Sequence, residues 1–397
     1  MIKLNYKNMD ERPIVLHQGV YKRVTSMPGA IFMITGMTIG AGVLGLPYVV
    51  AQVGLKVGLA YILILGLVMM SLNLMIGEIA VRTNEKLQLP GFAGKYLGPW
   101  AKSIMSLVVI TSGLGVLLAY IIGEGQTIGA LLGIDPRYCS IAFWALGGLL
   151  VWRGLQTVKV AEKIFSLLVM AIIAGLSIHF LPDFQIANWE FFDVSKIFLP
   201  FGVVLFSLHA SPAVVEAHTL MPGSQKHYRY AVIIGTLVPT ILYMLFVAAV
   251  VGVSGLDTTQ IATIGLGKIY GGWVMIVGNL FAILAMGTAF MGMGVALKQM
   301  LVWDHKVNHW LANLLVVFLP LFLFILGLNN FTAILDVVGG LFIGIEAVLM
   351  VMACYIAKRK GDLGASRYGL HYFWLAAIPV LIIFSLSTIV SVINIVR

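Results

Sequence analysis

The chain is organised around the stretch Thr35-Gly36-Met37-Thr38-Ile39-Gly40-Ala41-Gly42-Val43-Leu44-Gly45-Leu46-Pro47. It lies inside an apolar segment long enough to cross a bilayer, but four of its thirteen residues are glycine and the last is proline. An interior glycine disfavours a helix by about 1 kcal/mol and a proline by about 3 kcal/mol. A break in a membrane helix is tolerated where it lines a cavity, and it can hold an ion or a charged ligand there. The alternative is close helix packing, since Gly36 and Gly40 form a GxxxG pattern.

The composition indicates that almost the whole chain lies in a membrane. Of its 397 residues, 60% are hydrophobic and 10% are charged, which soluble domains do not match. The longest polar stretch is the N-terminal arm, residues 1–27, which leaves no room for a soluble catalytic domain. The arm also lacks the short apolar core of a cleavable signal peptide. The net charge of +9 is expected from basic cytoplasmic loops and does not predict a nucleic-acid partner.

Apolar runs of about 20 residues predict eleven membrane spans. They cover residues 28–51, 57–81, 103–132, 138–152, 160–181, 197–220, 229–253, 272–301, 309–327, 331–356 and 372–395. With the N-terminus in the cytoplasm, only five of the 25 Lys and Arg residues fall outside, as the positive-inside rule requires. Those five are Lys56, Arg137, Lys196, Lys268 and Arg397. The same topology puts the acidic connection 182–196 and the C-terminus outside.

Span six contains a second predicted break, in Ser207-Leu208-His209-Ala210-Ser211-Pro212. Pro212 removes a backbone donor and clashes with the preceding turn of a helix. Spans one and six hold the same place in two consecutive sets of five, and an odd number of spans inverts the second set. Paired interruptions at corresponding places of two halves point to a transporter site. We therefore expect an all-α polytopic membrane protein with a 5+5 inverted repeat, broken helices 1 and 6, and an extra eleventh helix.

Four parts follow from this arrangement. They are a cytoplasmic arm (1–27), a first five-helix repeat (28–181), an outer loop with the second, inverted repeat (182–356), and a cytoplasmic loop with the extra helix (357–397). The two cysteines, Cys139 and Cys354, are predicted near opposite membrane faces, so they do not pair, and no metal-ligand cluster accompanies them.

The run from Thr38 to Tyr48, TIGAGVLGLPY, resembles the "TIGAGILALPYA" opening of the amino acid/auxin permease family. That family belongs to the amino acid–polyamine–organocation superfamily and includes bacterial hydroxy/aromatic amino acid permeases and animal neutral amino acid transporters. Three further stretches are similar to family patterns: Ser207-Leu208-His209 with Pro212 and Glu216, Ala119-Tyr120 with Gly123-Glu124, and Gly287-Thr288-Ala289-Phe290-Met291-Gly292. The chain departs from the family at Ala289, where a second hydroxyl is common, and at Ala210-Ser211, which separates His209 from Pro212. The resemblance implies a LeuT-like fold with the substrate between spans one, three, six and eight.

The predicted substrate site lies at the two breaks. Backbone amides of Gly40, Ala41 and Gly42 open the second half of span one, where the helix dipole favours a carboxylate. The substrate ammonium is expected to bind backbone carbonyls and nearby hydroxyls, and Tyr120 to close over the substrate. The predicted set is Met37, Thr38, Gly40, Ala41, Gly42, Tyr120, Phe206, Ser207 and His209. Substrate binding by His209 competes with a proton-carrying role and with capping of freed carbonyls.

The coupling ion is left open between Na⁺ and H⁺, and no other cofactor is expected. By position, the carbonyls of Gly36 and Ile39 and the Thr288 hydroxyl form the candidate Na⁺ site. Span five lacks the lysine that replaces the ion in several proton-driven relatives, which favours Na⁺, while Ala289 offsets that preference. The candidates for gating or proton transfer are His209, Glu124, Glu216, Asp336 and Glu346. Glu124 and Asp336 are predicted toward the outer face, and Glu78 is expected to pair with Arg82.

These features favour a secondary active transporter that imports a neutral, aliphatic or aromatic amino acid by alternating access. The alternative is a non-transporting amino acid sensor that uses the same fold as a receptor. The sequence contains no nucleophile–base pair, metal cluster or nucleotide loop, so we do not expect an enzyme. The expected setting is a bacterial inner membrane, with the amino acid and the lipid bilayer as partners and the protein as a monomer.

Overall fold

The structure is a computed structural model, and it describes residues 14–17, 20–23, 27–85, 87–153, 158–221, 224–303, 305–364, 368–370 and 372–396. Arg367 and Arg397 therefore lie outside the described residues, and so does most of the predicted arm 1–27. Two short strands, β1 (Ile14–His17) and β2 (Val20–Arg23), pair antiparallel with Ile14 opposite Arg23.

Most of the rest is helical. The helices of the first half are α1 (Met27–Thr38), α2 (Gly42–Val53), α3 (Leu55–Arg82), α4 (Leu89–Leu97), α5 (Pro99–Leu132), α6 (Pro136–Arg153), α7 (Val158–Phe180) and α8 (Ile186–Glu190). Those of the second half are α9 (Pro200–Ser207), α10 (Ser211–Leu220), α11 (Gln225–Ser254), α12 (Ala262–Tyr270), α13 (Gly272–Trp303), α14 (His309–Ile325), α15 (Phe331–Val337), α16 (Ile343–Lys360) and α17 (Phe373–Val396).

Each predicted span falls on one helix or on one interrupted helix, with ends that agree within a few residues. Among the described residues, seven helical segments are long and apolar enough to cross a membrane, and an eighth span results from joining α1 and α2. The apolar helices 167–183 and 309–325 are shorter. The all-α membrane architecture is thus confirmed, while the count of eleven crossings stays a prediction.

The outer surface of the helices is apolar. Leu107 of α5, Ile178 of α7 and Leu375 of α17 are 65%, 70% and 77% exposed, respectively. Large apolar side chains are buried in most soluble proteins, but in a bilayer they face lipid. Tyrosine, phenylalanine and small residues instead fill the space between helices, with Tyr228 and Tyr243 fully buried.

The first break lies where the sequence predicts it. Residues Ile39–Ala41 are non-helical, and the axes of α1 and α2 differ by 56° across them. Pro47 lies inside α2 and does not end it. Gly45, one turn into α2, packs so closely that an added Cβ would meet Leu335 at 3.0 Å and Phe331 at 3.3 Å.

The second break differs in detail from the prediction. The non-helical residues are Leu208–Ala210, and Pro212 lies in the first turn of α10. A proline is tolerated at the start of a helix because the amide it lacks has no partner there. Pro212 therefore begins the second half of span six, and the interruption itself precedes it.

Span ten carries a third irregularity that the sequence prediction missed. Between α15 and α16, residues Val338–Phe342 form a π-helical turn. Gly339 and Gly340 lie in this turn, and a Cβ on Gly339 would come within 2.8 Å of the Phe206 amide nitrogen. Gly339 lets span ten approach the first half of span six, and Gly340 lets it approach Ser387 and Ser391 of α17. Such π-turns occur frequently at functional sites.

Candidate functional site

The two breaks meet at Gly42 and Ser207. An added Cβ on Gly42 would collide with the Ser207 hydroxyl and would lie 2.6 Å from the Ser207 Cα, which no real side chain tolerates. Glycine at position 42 is therefore required for the start of α2 to touch the end of α9. The structure thus brings together two elements that are 165 residues apart in the chain.

Tyr120 of α5 covers the first break. Its hydroxyl oxygen would lie 3.1 Å from a Cβ added to Gly40, and the side chain is 6% exposed. No hydrogen bond from this hydroxyl is present within the described part of the chain. Four of the predicted substrate residues, Gly40, Gly42, Tyr120 and Ser207, therefore lie at one place.

The backbone of the first break offers unpaired amides. Ile39 N–H still donates to Thr35 O at 3.1 Å, and the next backbone bond is from Leu44 N–H to Ala41 O at 3.1 Å. The amides of residues 40–43 between them have no backbone acceptor among the described residues. They lie at the N-terminus of α2, a twelve-residue helix, where amides and helix dipole together favour an anion.

Side-chain hydroxyls at the breaks are already engaged. Thr38 Oγ1 donates to Ile34 O at 2.7 Å, and Ser207 Oγ donates to Val203 O at 2.7 Å. The Tyr243 hydroxyl donates to Thr38 O at 2.9 Å, a contact that the sequence analysis missed because nothing near Tyr243 marks a break. The backbone carbonyl oxygens of Thr38 and Phe206 thus already accept hydrogen bonds, since the His209 N–H donates to Phe206 O at 3.2 Å. The Met37 side chain is 44% exposed, so only its carbonyl remains a candidate ligand.

His209 and Glu346 form a pair. His209 Nε2 lies 2.9 Å from Glu346 Oε1, and the side chains are 22% and 4% exposed. His209 belongs to the non-helical residues of span six, whereas Glu346 lies in the first turn of α16, directly after the π-helical turn. The sequence named both residues as proton-linked candidates but did not predict that they touch.

The Na⁺ site at Gly36, Ile39 and Thr288 stays a prediction. Thr288 Oγ1 donates to Leu284 O at 2.7 Å within its own helix. The helix α1 packs against α7, α10 and α11, while α13 packs against α5, α7 and α12. Among the described residues, no hydrogen bond joins Gly36 or Ile39 to Thr288.

Glu124 is fully buried and unpaired. It is 0% exposed, and neither carboxylate oxygen has a hydrogen-bond partner in the described part of the chain. It lies one turn after Tyr120 on α5, and Oε1 would be 3.2 Å from a Cβ added to Gly287 of α13. The absent side chain of Gly287 leaves the room that this carboxyl occupies.

The remaining predicted carboxylates have other surroundings. Asp336 is partly buried in α15, and its Cα would lie 2.8 Å from a Cβ added to Gly202 of α9. Glu216 is partly exposed in α10.

Glu78 accepts hydrogen bonds from Arg82 at 2.8 Å, as predicted, and also from Lys358 at 2.9 Å. Cys139 and Cys354 are both free and buried.

Known proteins share this architecture and sequence pattern. A model of the tryptophan/tyrosine permease family matches residues 23–393. Glutamine transporter 2 of Aliivibrio fischeri is 22% identical over 87% of this chain and 92% of its own length. Tyrosine-specific transport system 1 of Haemophilus influenzae is 24% identical over 83% of this chain and 88% of its own. The crystal structure of MhsT in complex with L-phenylalanine has a TM-score of 0.65 at 16% identity, covering 92% of this chain and 99% of that one, and it supports a LeuT-like fold.

Proposed function

This chain belongs to the tryptophan/tyrosine permease family, and on that premise we propose that it is a secondary active transporter for a neutral amino acid. The observation that carries the proposal is the meeting of the two breaks, with Gly42 against Ser207 and the Tyr120 hydroxyl over Gly40. The substrate would bind there, near the middle of the membrane, and reach each side in turn by alternating access.

The substrate carboxylate would bind the unpaired amides of residues 40–43. These amides point out of the N-terminus of α2, and the Tyr120 hydroxyl adds one further donor. The ammonium would share the carbonyls of Met37, Thr38 and Phe206, which have lone pairs to spare. Together these groups bind the zwitterion that all amino acids have in common.

A neutral substrate side chain agrees with the surroundings of the breaks. His209 and Glu346 are hydrogen-bonded to each other, and apolar side chains such as Phe331 pack against α2 next to the site. The family name and the two named relatives make tyrosine, tryptophan and glutamine the first substrates to test. Leucine and phenylalanine extend the test to side chains without a polar group.

We propose H⁺ as the coupling ion, carried by the His209–Glu346 pair. Rocking of span six would separate His209 from Glu346, and a buried carboxylate without a partner costs several kcal/mol. A proton on Glu346 removes that cost, so movement of span six and proton binding would favour each other. Na⁺ is the second candidate, with the carbonyls of Gly36 and Ile39 and the Thr288 hydroxyl as its predicted ligands.

Other ionisable groups near α16 have separate roles. Glu78 of α3 accepts hydrogen bonds from Arg82 of the same helix and from Lys358 at the far end of α16, about three turns from Glu346. On α5, Tyr120 faces the first break and Glu124 faces α13. The packed helix α17 has no ionisable side chain in residues 373–396. His209 is therefore the partner that would respond to proton binding at Glu346.

Gradient-driven uptake into proteoliposomes tests this proposal. With an inward H⁺ gradient and no Na⁺, labelled amino acid should accumulate above its outside concentration, and an ionophore that collapses the gradient should abolish the accumulation. Glu346→Gln should still exchange labelled for unlabelled substrate but should not accumulate it. His209→Gln should shift the pH dependence of uptake, with Lys226→Gln, an exposed change elsewhere, as the control.

Two results would overturn the H⁺ assignment. One is accumulation that needs Na⁺ and ignores the H⁺ gradient. The other is an unchanged, H⁺-driven accumulation in Glu346→Gln. Neither result would contradict amino acid transport itself.

A further inference from the structure

A basic cleft lies between α4 and the end of α16, remote from the two breaks. It has a volume of about 320 Å³. Its lining residues are Lys95, Tyr96, Tyr355, Ile356, Arg359 and Lys360. Three cations and two tyrosines therefore surround one space, and nothing in the proposed transport cycle uses it.

The cations of this basic cleft differ in how far they are neutralised. Lys95 Nζ donates to Asp362 at 2.6 Å and to Glu85 at 2.8 Å, and these hydrogen bonds raise the pKa of Lys95, so it stays charged. Arg359 and Lys360 are exposed and form no ion pair within the described residues. Two positive charges at the mouth of the cleft are therefore left for an anion.

The neighbouring residue Lys358 shows that this arrangement is specific. Lys358 turns inward, where it donates to Glu78 Oε1 at 2.9 Å and to Leu370 O at 2.6 Å. The three consecutive cations that end α16 thus divide into one partly buried partner of Glu78 and two exposed charges. Only the exposed pair lines the basic cleft.

Aromatic side chains place the basic cleft at the level of lipid headgroups. The Tyr355 ring lies 5.8 Å from Phe373 and 5.6 Å from Trp374, and the Arg359 guanidinium lies 4.3 Å above Tyr355. Trp374, the second residue of α17, is 55% exposed, and the next residue, Leu375, is 77% exposed. Tryptophan and tyrosine concentrate where a membrane protein crosses from hydrocarbon to water.

We propose that the basic cleft binds the phosphate headgroup of an acidic phospholipid. The phosphate would contact Arg359 and Lys360 and share Lys95, and a planar guanidinium suits phosphate oxygens well. The acyl chains would run along the exposed apolar surface of α16 and α17, which includes Met352 and Leu375. Basic pockets between helices at the membrane surface are suited to such headgroups. A free phosphate would use the same cations but not this apolar surface.

Bound lipid would join two parts of the protein. Lys95 belongs to α4, whereas Arg359 and Lys360 belong to α16, so one headgroup would reduce the repulsion between their charges. The proposal needs only the membrane location of the chain. Its failure would therefore leave the proposed transport function untouched.

Thermal unfolding of the purified, detergent-solubilised protein tests the proposal. Phosphatidylglycerol should raise the melting temperature, while phosphatidylcholine with the same acyl chains and inorganic phosphate should raise it much less. The double substitution Arg359→Gln with Lys360→Gln should weaken the response to phosphatidylglycerol roughly tenfold in concentration. The charge-conserving pair Arg359→Lys with Lys360→Arg should keep most of it.

A matched control removes two exposed cations elsewhere, Lys226→Gln with Lys306→Gln, and should respond like the unaltered protein. Equal stabilisation by phosphatidylcholine, or an unchanged response in the Arg359/Lys360 double variant, would overturn the proposal. A full response to inorganic phosphate alone would also overturn it, because it would assign the basic cleft to a free anion.

Discussion

At the scale of single residues, glycines and hydroxyls define the site. Gly42 permits the contact with Ser207, and Gly40 leaves space under the Tyr120 hydroxyl. A methyl group at position 42 would meet the Ser207 backbone, so it would force α2 and α9 apart, whereas at position 40 it would press only on the Tyr120 hydroxyl. Gly42 therefore decides whether the two breaks can meet.

Tyr120→Phe should weaken substrate binding without destabilising the protein. The Tyr120 hydroxyl has no hydrogen bond within the described residues, so its loss should cost only the bond to the substrate carboxylate. A bond to a charged group contributes about 1.5 kcal/mol or more, which corresponds to roughly tenfold in affinity. Equilibrium binding of labelled substrate and thermal unfolding measure the two effects.

Tyr243→Phe is the contrasting control. The Tyr243 hydroxyl is bonded to Thr38 O, so removing it should lower the melting temperature even without substrate. If Tyr120→Phe bound substrate with unchanged affinity, Tyr120 would not be a ligand of the carboxylate.

Glu124→Gln should fold at least as stably as the unaltered protein. Glu124 has no hydrogen-bond partner among the described residues, so glutamine keeps the shape and removes the cost that an ionised carboxylate would have there. Glu124→Ala should be less stable because it leaves a cavity. A clear fall in the melting temperature of Glu124→Gln would instead reveal a cation that binds this carboxylate.

Residue types at the site could be predicted from the sequence, but their pairing could not. Glycines, Tyr120, His209 and Glu346 all stand out in apolar spans because polar groups and breaks are costly there. The His209–Glu346 contact joins positions 137 residues apart, and no local pattern encodes it. Thr288 was assigned to a Na⁺ site by position alone, and its bond to Leu284 O is invisible in the sequence.

At the scale of elements, ion pairs with the buried carboxylate of Glu78 connect α3 to α16. Glu78 of α3 is 1% exposed and accepts hydrogen bonds from Arg82 of the same helix and from Lys358 of α16. The pair with Arg82 was predictable, since residues four apart share a helix face. Lys358 was not, because its contact depends on how α16 packs against α3.

Lys358→Ala should destabilise the protein by about 1–2 kcal/mol. The change removes one of two cations that neutralise buried Glu78, while Arg82 keeps part of the compensation. Arg359→Ala, the exposed neighbour, serves as the matched control and should change the melting temperature little in detergent without acidic lipid. Equal melting temperatures for the two variants would contradict a structural role for the Lys358–Glu78 bond.

The third irregular element, the π-helical turn in span ten, could not be predicted from the sequence. Gly339-Gly340 marks a weak point, but an isolated pair of glycines also fits simple helix packing. The structure shows what each glycine allows: Gly339 approaches Gly202 and Phe206 of α9, and Gly340 approaches Ser391 of α17. The breaks in spans one and six were easier to predict because they occur at matching places in two halves.

At the scale of the whole molecule, composition and charge distribution were enough to predict a helical membrane protein. The helices match the predicted spans because about 20 apolar residues have few other stable arrangements. The choice between a carrier and a sensor does not follow from the fold, since both need a substrate site between the two breaks. Only movement of substrate across a membrane separates them.

Exchange of labelled for unlabelled amino acid across proteoliposome membranes therefore tests the central claim most directly. Exchange needs no driving gradient, so it isolates the site at the two breaks from the choice of coupling ion. We predict saturable exchange of at least one of tyrosine, tryptophan, glutamine, leucine or phenylalanine. Gly42→Ala should abolish it by separating the breaks, whereas Gly175→Ala, whose added Cβ would meet nothing within 4 Å, should leave it intact. Absence of exchange for every one of these amino acids, or full exchange in Gly42→Ala, would contradict the account.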